Sequence, residues 1–161
     1  MKSPWHPVSR RRLLAALPLL GWAAGALAQG KSLPVSDLVI VTKQGRPHFK
    51  VELALDAAAQ AQGLMFRKEM AADAGMLFDF GLPERPAAFW MKNTLIPLDM
   101  LFIKADGVIV EIAERTIPLS LATIGPDQPV RAVLELNGGT SARLGIAAGD
   151  RVLHKIFGNL P

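Results

Sequence analysis

Acids set among apolar neighbours are the residues of this 161-residue chain best placed to do chemistry. The run Trp90-Met91-Lys92-Asn93-Thr94-Leu95-Ile96-Pro97-Leu98-Asp99 puts a cation, an amide, a hydroxyl and a carboxylate between bulky side chains. Glu135 interrupts a second apolar stretch, Ala132-Val133-Leu134-Glu135-Leu136. An unpaired buried amide or carboxylate costs several kcal/mol, so each of these groups needs a specific partner. For Glu135 the candidate cations are Arg67, Lys92, Arg131 and Arg143. It is then either half of a structural ion pair or an acid that faces a ligand.

A third acid enters through a hairpin. Asp106-Gly107 lies between two apolar runs, and a type I′ turn needs positive φ at both central positions. A two-residue loop there sets Ala105 against Val108. Counting back then puts Asp99 opposite Glu114, on one face with Leu101, Ile103, Val110 and Ile112. Opposed carboxylates repel. One stays protonated, a cation lies between them, or the strand ends part into water; the first two outcomes would mark a site. Acid–base work by Asp99, Glu114 or Glu135, with Lys92 as the electrophilic partner, would suit a hydrolase or lyase.

Other motifs carry weaker chemistry. Asn137-Gly138-Gly139-Thr140-Ser141 could present free backbone N–H groups to an anion at a helix start, with Arg143 in support. A plain strand-to-helix turn explains the same letters. Met65, Met70, Met76, Met91 and Met100 could offer thioethers to Cu(I) under Trp90, or simply fill the core. No metal site is expected, and no cofactor is indicated. The chain has no cysteine, no G-x-S-x-G elbow and no H-E-x-x-H helix, which leaves nucleophilic catalysis without its usual carriers.

Strands must position most of these residues. Leu38 to Thr42 reads as one, followed by the turn Lys43-Gln44-Gly45-Arg46-Pro47. His48 to Leu55 alternates, with Phe49, Val51, Leu53 and Leu55 on one side and His48, Lys50 and Glu52 on the other. Asp56 caps a short helix to Gln62 that Gly63 ends. Further strands are expected at Gly75 to Phe80, Ala87 to Lys92, Leu98 to Ala105, Val108 to Glu114 and Val130 to Leu136. A helix from Thr140 to Leu144 and a last strand from Arg151 to Phe157 complete the pattern. About eight strands with two short helices predict an α+β fold: a β-rich single domain forming a mixed or antiparallel, partly closed barrel.

The first 28 residues have the pattern of an export signal. Lys2, Arg10, Arg11 and Arg12 precede an apolar stretch from Leu13 to Ala26, and Ala26-Leu27-Ala28 places a mature start at Gln29. Ser9-Arg10-Arg11-Arg12-Leu13-Leu14 is close to a twin-arginine signal, although a Sec signal with extra arginines has the same letters. The apolar stretch is shorter than the roughly 20 residues of a spanning helix, so no membrane span is expected in the mature form. Residues 29–36 read as a linker and 37–161 as the domain. The chain has 18 basic and 14 acidic residues; four basic and no acidic ones lie in the signal, so 14 face 14 in the remainder. Without a basic excess, nucleic acid is not an expected partner. Removing 28 of 161 residues leaves 133, enough for one domain and an expected monomer that buries roughly two-thirds of its unfolded surface.

Several motifs occur together in a familiar order: Gly63-Leu64-Met65-Phe66-Arg67, Gly75-Met76-Leu77-Phe78, Phe89 to Asp99, Val133-Leu134-Glu135 with Gly139, and Gly149-Asp150-Arg151-Val152. From about Leu38 to Phe157 the chain resembles the family called domain of unknown function 192. The resemblance implies a small, compact, β-rich domain, often exported, with no agreed activity, cofactor or catalytic residue. Phe66 stands where tyrosine is common in that family, and this chain has no tyrosine. The resulting expectation is an exported periplasmic protein that binds a small molecule or an envelope protein. Its groove would draw on Arg67, Trp90, Lys92, Asn93, Thr94, Asp99, Glu114 and Glu135. The alternatives are the carboxylate-pair hydrolase or lyase, and an envelope accessory protein whose polar residues only hold the fold.

Overall fold

Period-two patterning builds seven strands: β1 (Val35–Val41), β2 (His48–Ala54), β3 (Ala74–Asp79), β4 (Leu98–Ile103), β5 (Ile109–Ala113), β6 (Ala132–Asn137) and β7 (Arg151–Leu153). Helix α1 (Ala57–Gln62) follows β2, and α2 (Thr140–Leu144) follows β6. The computed structural model describes residues 32–160, together with Met1. The expected export signal and the first residues of the expected linker lie outside the described residues. Within residues 32–160, β1 starts at Val35, inside the segment expected as linker.

The strands form one sheet in the order β5-β4-β6-β3-β2-β1-β7. β2 and β3 run parallel, with α1 and the loop after it as the crossover, and the other described pairs are antiparallel. The two edges meet. Val108 bridges Arg151, Ile109 N–H donates to the Asp150 carbonyl at 2.9 Å, and Gly149 N–H donates to the Ile109 carbonyl at 2.8 Å. The result is the expected mixed, nearly closed barrel, in which neither edge is left as an open template for pairing. Among the described residues, no helix is long and apolar enough to cross a membrane.

Two apolar layers pack on this sheet. Leu38, Phe49, Val51, Leu77, Leu101 and Leu134 belong to the barrel interior. Met76, Phe78, Met100, Phe102 and Val133 face the other way and are roofed by residues 80–97 and 116–130, which contribute Ala87, Met91 and Val130. β4 and β6 are therefore covered on both faces. That explains why they read as nearly continuous apolar runs rather than alternations, and why every residue of β4 is buried.

The roof corrects one expected strand. Ala87 to Lys92 alternates, with Ala87 and Met91 buried and Ala88, Trp90 and Lys92 exposed. It nevertheless makes only isolated bridges, Phe89 with Ile124 beside Arg85 with Val130. It lies extended across the sheet, so alternation reports the face and not the pairing. The last strand stops at Leu153, where His154 Nδ1 accepts from Ile156 N–H and starts a short 3-10 turn. Leu55 falls past the end of β2 and is exposed.

The hairpin also differs from a two-residue turn. Lys104 N–H donates to the Val108 carbonyl at 2.9 Å and Gly107 N–H to the Lys104 carbonyl at 3.0 Å, closing a three-residue loop. Gly107 supplies the positive φ of +88°. A register shift between Phe102 and Ile103 absorbs the extra residue, so Met100 still faces Ala113.

Glu135 sits beside a tight approach of β3 to β6 at Gly75. A Cβ on Gly75 would lie 2.7 Å from the Glu135 carbonyl oxygen and 2.8 Å from Leu136 Cδ2. Gly75→Ala is expected to destabilise the domain by about 1–3 kcal/mol, because the backbone of β6 must move to admit the methyl group. Urea unfolding checks this through a lowered midpoint.

Candidate functional site

The roof does not cover the outer face completely. A pocket of about 440 Å³ opens between the end of α1, the loop Gly63 to Met65 and the segment Arg85 to Trp90. This is within the range of small-molecule sites. Phe78, Phe80, Phe89 and Trp90 form its walls, and Thr94 and Glu135 add polar groups. The rings brace one another: Phe89 meets Phe78 edge-on at 5.1 Å between centroids, Phe102 at 6.4 Å, and Phe80 at 6.2 Å.

Local hydrogen bonds explain why the rim takes this form. Asp56 Oδ1 accepts from Ala59 N–H at 2.8 Å and caps α1, and Gly63 N–H closes the helix on the Ala59 carbonyl. Phe66 N–H donates to the Asn93 carbonyl at 2.8 Å, which ties the Gly63–Arg67 loop to the roof. Asn93 has a φ of +57°, a conformation that asparagine tolerates better than most residues. Gln60 Nε2 donates to the carbonyls of Ala54 and Asp79 at 3.1 and 2.8 Å, so α1 is fastened to both β2 and β3.

Glu135 stands at the inner end of the pocket. It faces outward from β6 between Met76 on β3 and Met100 on β4. Only 4% of the residue is exposed. Every cation considered for it is placed elsewhere. Arg67 is bidentate to Glu52 at 2.5 and 2.6 Å, and Arg131 holds Asp79 at 2.7 and 3.2 Å. Lys92 is exposed, with Nζ 5.3 Å from the Trp90 ring centroid. Arg143 is exposed beside a separate shallow depression. Among the described residues, nothing donates a hydrogen bond to the Glu135 carboxyl. Burial pushes its pKa from 4.5 up to about 8, because an uncompensated charge is poorly solvated there. Near neutral pH the group is mainly a carboxylic acid, with one O–H donor and a carbonyl acceptor.

Asp99 points the opposite way. Met100 is the β4 residue in register with Glu135, so Asp99 pairs with Leu136 on the other side of the sheet. Its side chain is fully buried. Oδ1 accepts from Arg115 and Gly139 N–H, both at 2.8 Å, and Oδ2 from Ser141 N–H at 2.7 Å. These bonds fasten the turn from β6 into α2 to the end of β4.

Two expectations are corrected by this clamp. The single groove of Lys92, Asn93, Asp99, Glu114 and Glu135 does not form, because adjacent residues of a strand face opposite sides. Glu114 is exposed in the turn after β5, so it makes no carboxylate pair with Asp99. Of the N–H groups at Gly138, Gly139, Thr140 and Ser141, three are already taken and do not form an open anion cradle. Gly138 donates to the Pro97 carbonyl at 2.9 Å, and Asp99 itself takes the bonds from Gly139 and Ser141. Gly138, Gly139, Thr140 and Arg143 do line one depression, together with Arg115.

Of the residues expected in the groove, Glu135, Trp90 and Thr94 therefore meet in the pocket. Arg67 and Asn93 shape its rim at one remove, and Lys92 rests on the outside of Trp90. Met76, Met91 and Met100 are buried as core fillers, and the Met91 sulfur accepts from the Thr116 hydroxyl at 3.1 Å. Among the described residues, no three histidine or acidic side chains converge as metal ligands. Sequence reasoning missed Gln60, Phe80, Arg85 and Phe89 as pocket residues. The alternation through Ala87 to Lys92 was the available signal, once understood as a roof rather than a strand.

Asp99→Asn replaces one acceptor oxygen with an NH₂ group that cannot accept from the amides it faces. A loss of about 2–4 kcal/mol is expected. Denaturant unfolding measures the total, and faster hydrogen exchange at Arg115, Gly139 and Ser141 locates it.

Comparison with known proteins gives consistent matches. The family model for domain of unknown function 192, described as an uncharacterized ACR, matches residues 39–154. A solved structure from Sinorhizobium meliloti 1021, of a protein provisionally named a transcription regulator, is 48% identical with a TM-score of 0.76. The match covers 79% of this chain and 98% of that one. A protein of unknown function from Novosphingobium aromaticivorans DSM 12444 is 37% identical with a TM-score of 0.73, over 92% of this chain and 100% of that one. No curated protein matches.

Proposed function

The chain belongs to the domain of unknown function 192 family, and from the pocket its fold builds we propose that it is a small-ligand-binding protein anchored on Glu135. The observation that carries this reading is a buried carboxyl, facing a pocket, to which no described residue donates. The chain partners its other buried or half-buried acids. Asp99 has three N–H donors, Glu52 has Arg67 and Asp79 has Arg131. A group left unsatisfied at a loss of stability is a common mark of a site kept for binding.

Two other readings have less support. A carboxylate-pair hydrolase or lyase needs a second acid beside Glu135. Glu52 is two strands away across Met76 on the same row, and it is committed to Arg67. A regulator of transcription, the name carried by the Sinorhizobium relative, calls for a basic surface; residues 29–161 balance 14 basic against 14 acidic side chains.

The place of action follows from the first 28 residues. The basic start, the apolar stretch and Ala26-Leu27-Ala28 support export to the periplasm. Mass spectrometry of a periplasmic extract is expected to find a chain that begins at Gln29. Full-length protein confined to the cytoplasm would contradict it.

Binding and charge are tested separately. N-phenyl-1-naphthylamine, a neutral apolar dye, is expected to brighten with saturation at one site, and Ala88→Trp at the pocket wall is expected to abolish this. Equal brightening in both proteins would contradict the site. The Glu135 carboxyl is protonated in the fold up to about pH 8 but ionises near 4.5 once exposed. Its contribution to stability is thus full below pH 4.5 and is lost as pH rises towards 8. Glu135→Gln is expected to be the more stable protein at pH 8 by roughly 2–4 kcal/mol relative to its difference at pH 4.5. Thermal melts across that range check this; parallel profiles would mean that the carboxyl is solvated or paired.

A further inference from the structure

We infer that the pocket's ligand is an organic ammonium with an aromatic or branched apolar body, its nitrogen on the Glu135 carboxyl and its body between Phe78, Phe89 and Trp90. This rests on the ligand-binding reading and adds the chemical class. The argument begins with which polar atoms are free. The buried polar residues that line the pocket are Glu135 and Thr94, whose side chains end in oxygens. Thr94 directs its proton to the Lys92 carbonyl at 3.4 Å and keeps its lone pairs.

Two nitrogen-bearing side chains of the wall, Arg85 and Gln60, are held by neighbouring groups. Arg85 donates to Gln60 Oε1 at 3.3 Å and stacks over Phe80 at 4.4 Å. Gln60 spends its amide hydrogens on Ala54 and Asp79. The complement to such a lining is a ligand that brings hydrogen-bond donors.

Charge selects among donors. A cation supplies the counter-charge that Glu135 lacks, whereas an anion would meet that carboxyl; the lining cation Arg85 is exposed and lies on the Phe80 ring and Gln60. The pocket's aromatic rings already hold cations of this chain, Arg85 on Phe80 and Lys92 on Trp90. The same ring-face attraction serves an ammonium that enters between them. About 440 Å³ accommodates one ring with a short amine arm.

Proton balance follows. Below about pH 8 the empty site holds a carboxylic acid. Binding an ammonium turns it into a carboxylate, and the displaced proton goes to the buffer. Few charged groups face Glu135 to blur this. β3 and β4 bring Met76 and Met100, and α1 brings only glutamines and alanines. The Gly63–Arg67 loop brings Arg67, held by Glu52, and the roof brings Arg85 and Lys92.

The test uses the mature protein and three probes of one shape: 2-phenylethylammonium, 2-phenylethanol and 3-phenylpropionate. Calorimetry at pH 7 is expected to rank the ammonium at least about tenfold above the alcohol, with the propionate weakest. Ammonium affinity should rise between pH 6 and 8 by up to about tenfold per unit. Heats in buffers of different ionisation enthalpy should report proton release on ammonium binding and none on alcohol binding. Glu135→Gln should erase the preference for ammonium over alcohol. Alcohol binding as tight as ammonium, and lost in Ala88→Trp, would overturn the cationic class while keeping the pocket. Binding of none of the three would overturn the pocket reading and the class with it.

Discussion

Burial of β4 and β6 on both faces is the constraint from which the rest of this molecule follows. The barrel interior presses on one side of these strands, and the roof of residues 80–97 and 116–130 presses on the other. Water reaches neither face freely, so any polar side chain on these strands must find its partner within the protein or bear the loss of hydration. Asp99 and Glu135 are the two acids in this position, and they resolve it in opposite ways. Asp99 turns to the end of the barrel and gathers three backbone N–H groups that no helix or ladder uses. Glu135 turns to the roof and finds methionines on both sides.

The contrast extends to the other half-buried acids. Burial pushes the Asp79 carboxyl up, but the Arg131 guanidinium and the Gly81 N–H outweigh it and hold the group below the usual carboxylate range. Glu84 is lowered chiefly by the Ala105 N–H; burial opposes this, and Lys104 adds to the lowering. In each case a donor is within reach: Gly81 N–H at 2.8 Å for Asp79 and Ala105 N–H at 2.7 Å for Glu84. Glu135 alone among these acids is raised. The fold partners its acids consistently and leaves this one unpartnered in an aromatic pocket, at the expense of stability, and the proposed binding role rests on that contrast.

Much of this was legible in the residues. β2 follows its alternation through Phe49, Val51 and Leu53, and α1 begins after Asp56 and ends at Gly63 as the capping letters indicate. Pairing was harder to read. Ala87 to Lys92 alternates like a strand because it lies extended on a sheet, and extended chains alternate whether or not they are hydrogen-bonded. The Asp106-Gly107 turn gave the correct register beyond Phe102 for an incomplete reason: a longer loop and a compensating shift cancel. In the site, sequence singled out Glu135 by its apolar surroundings. The division of Asp99 from Glu135 depends on which residues of β4 and β6 stand opposite, Met100 with Glu135. That is a property of long-range register that no local pattern contains.

Carbon-13 NMR titration of the glutamate side-chain carboxyls measures the central claim directly. An unpaired, buried Glu135 predicts a midpoint near 8, well separated from the solvent-exposed glutamates. A midpoint in the ordinary carboxylate range, near 4–5, would mean that water or an unseen donor satisfies the group, and Glu135 would then be no vacant anchor for a ligand.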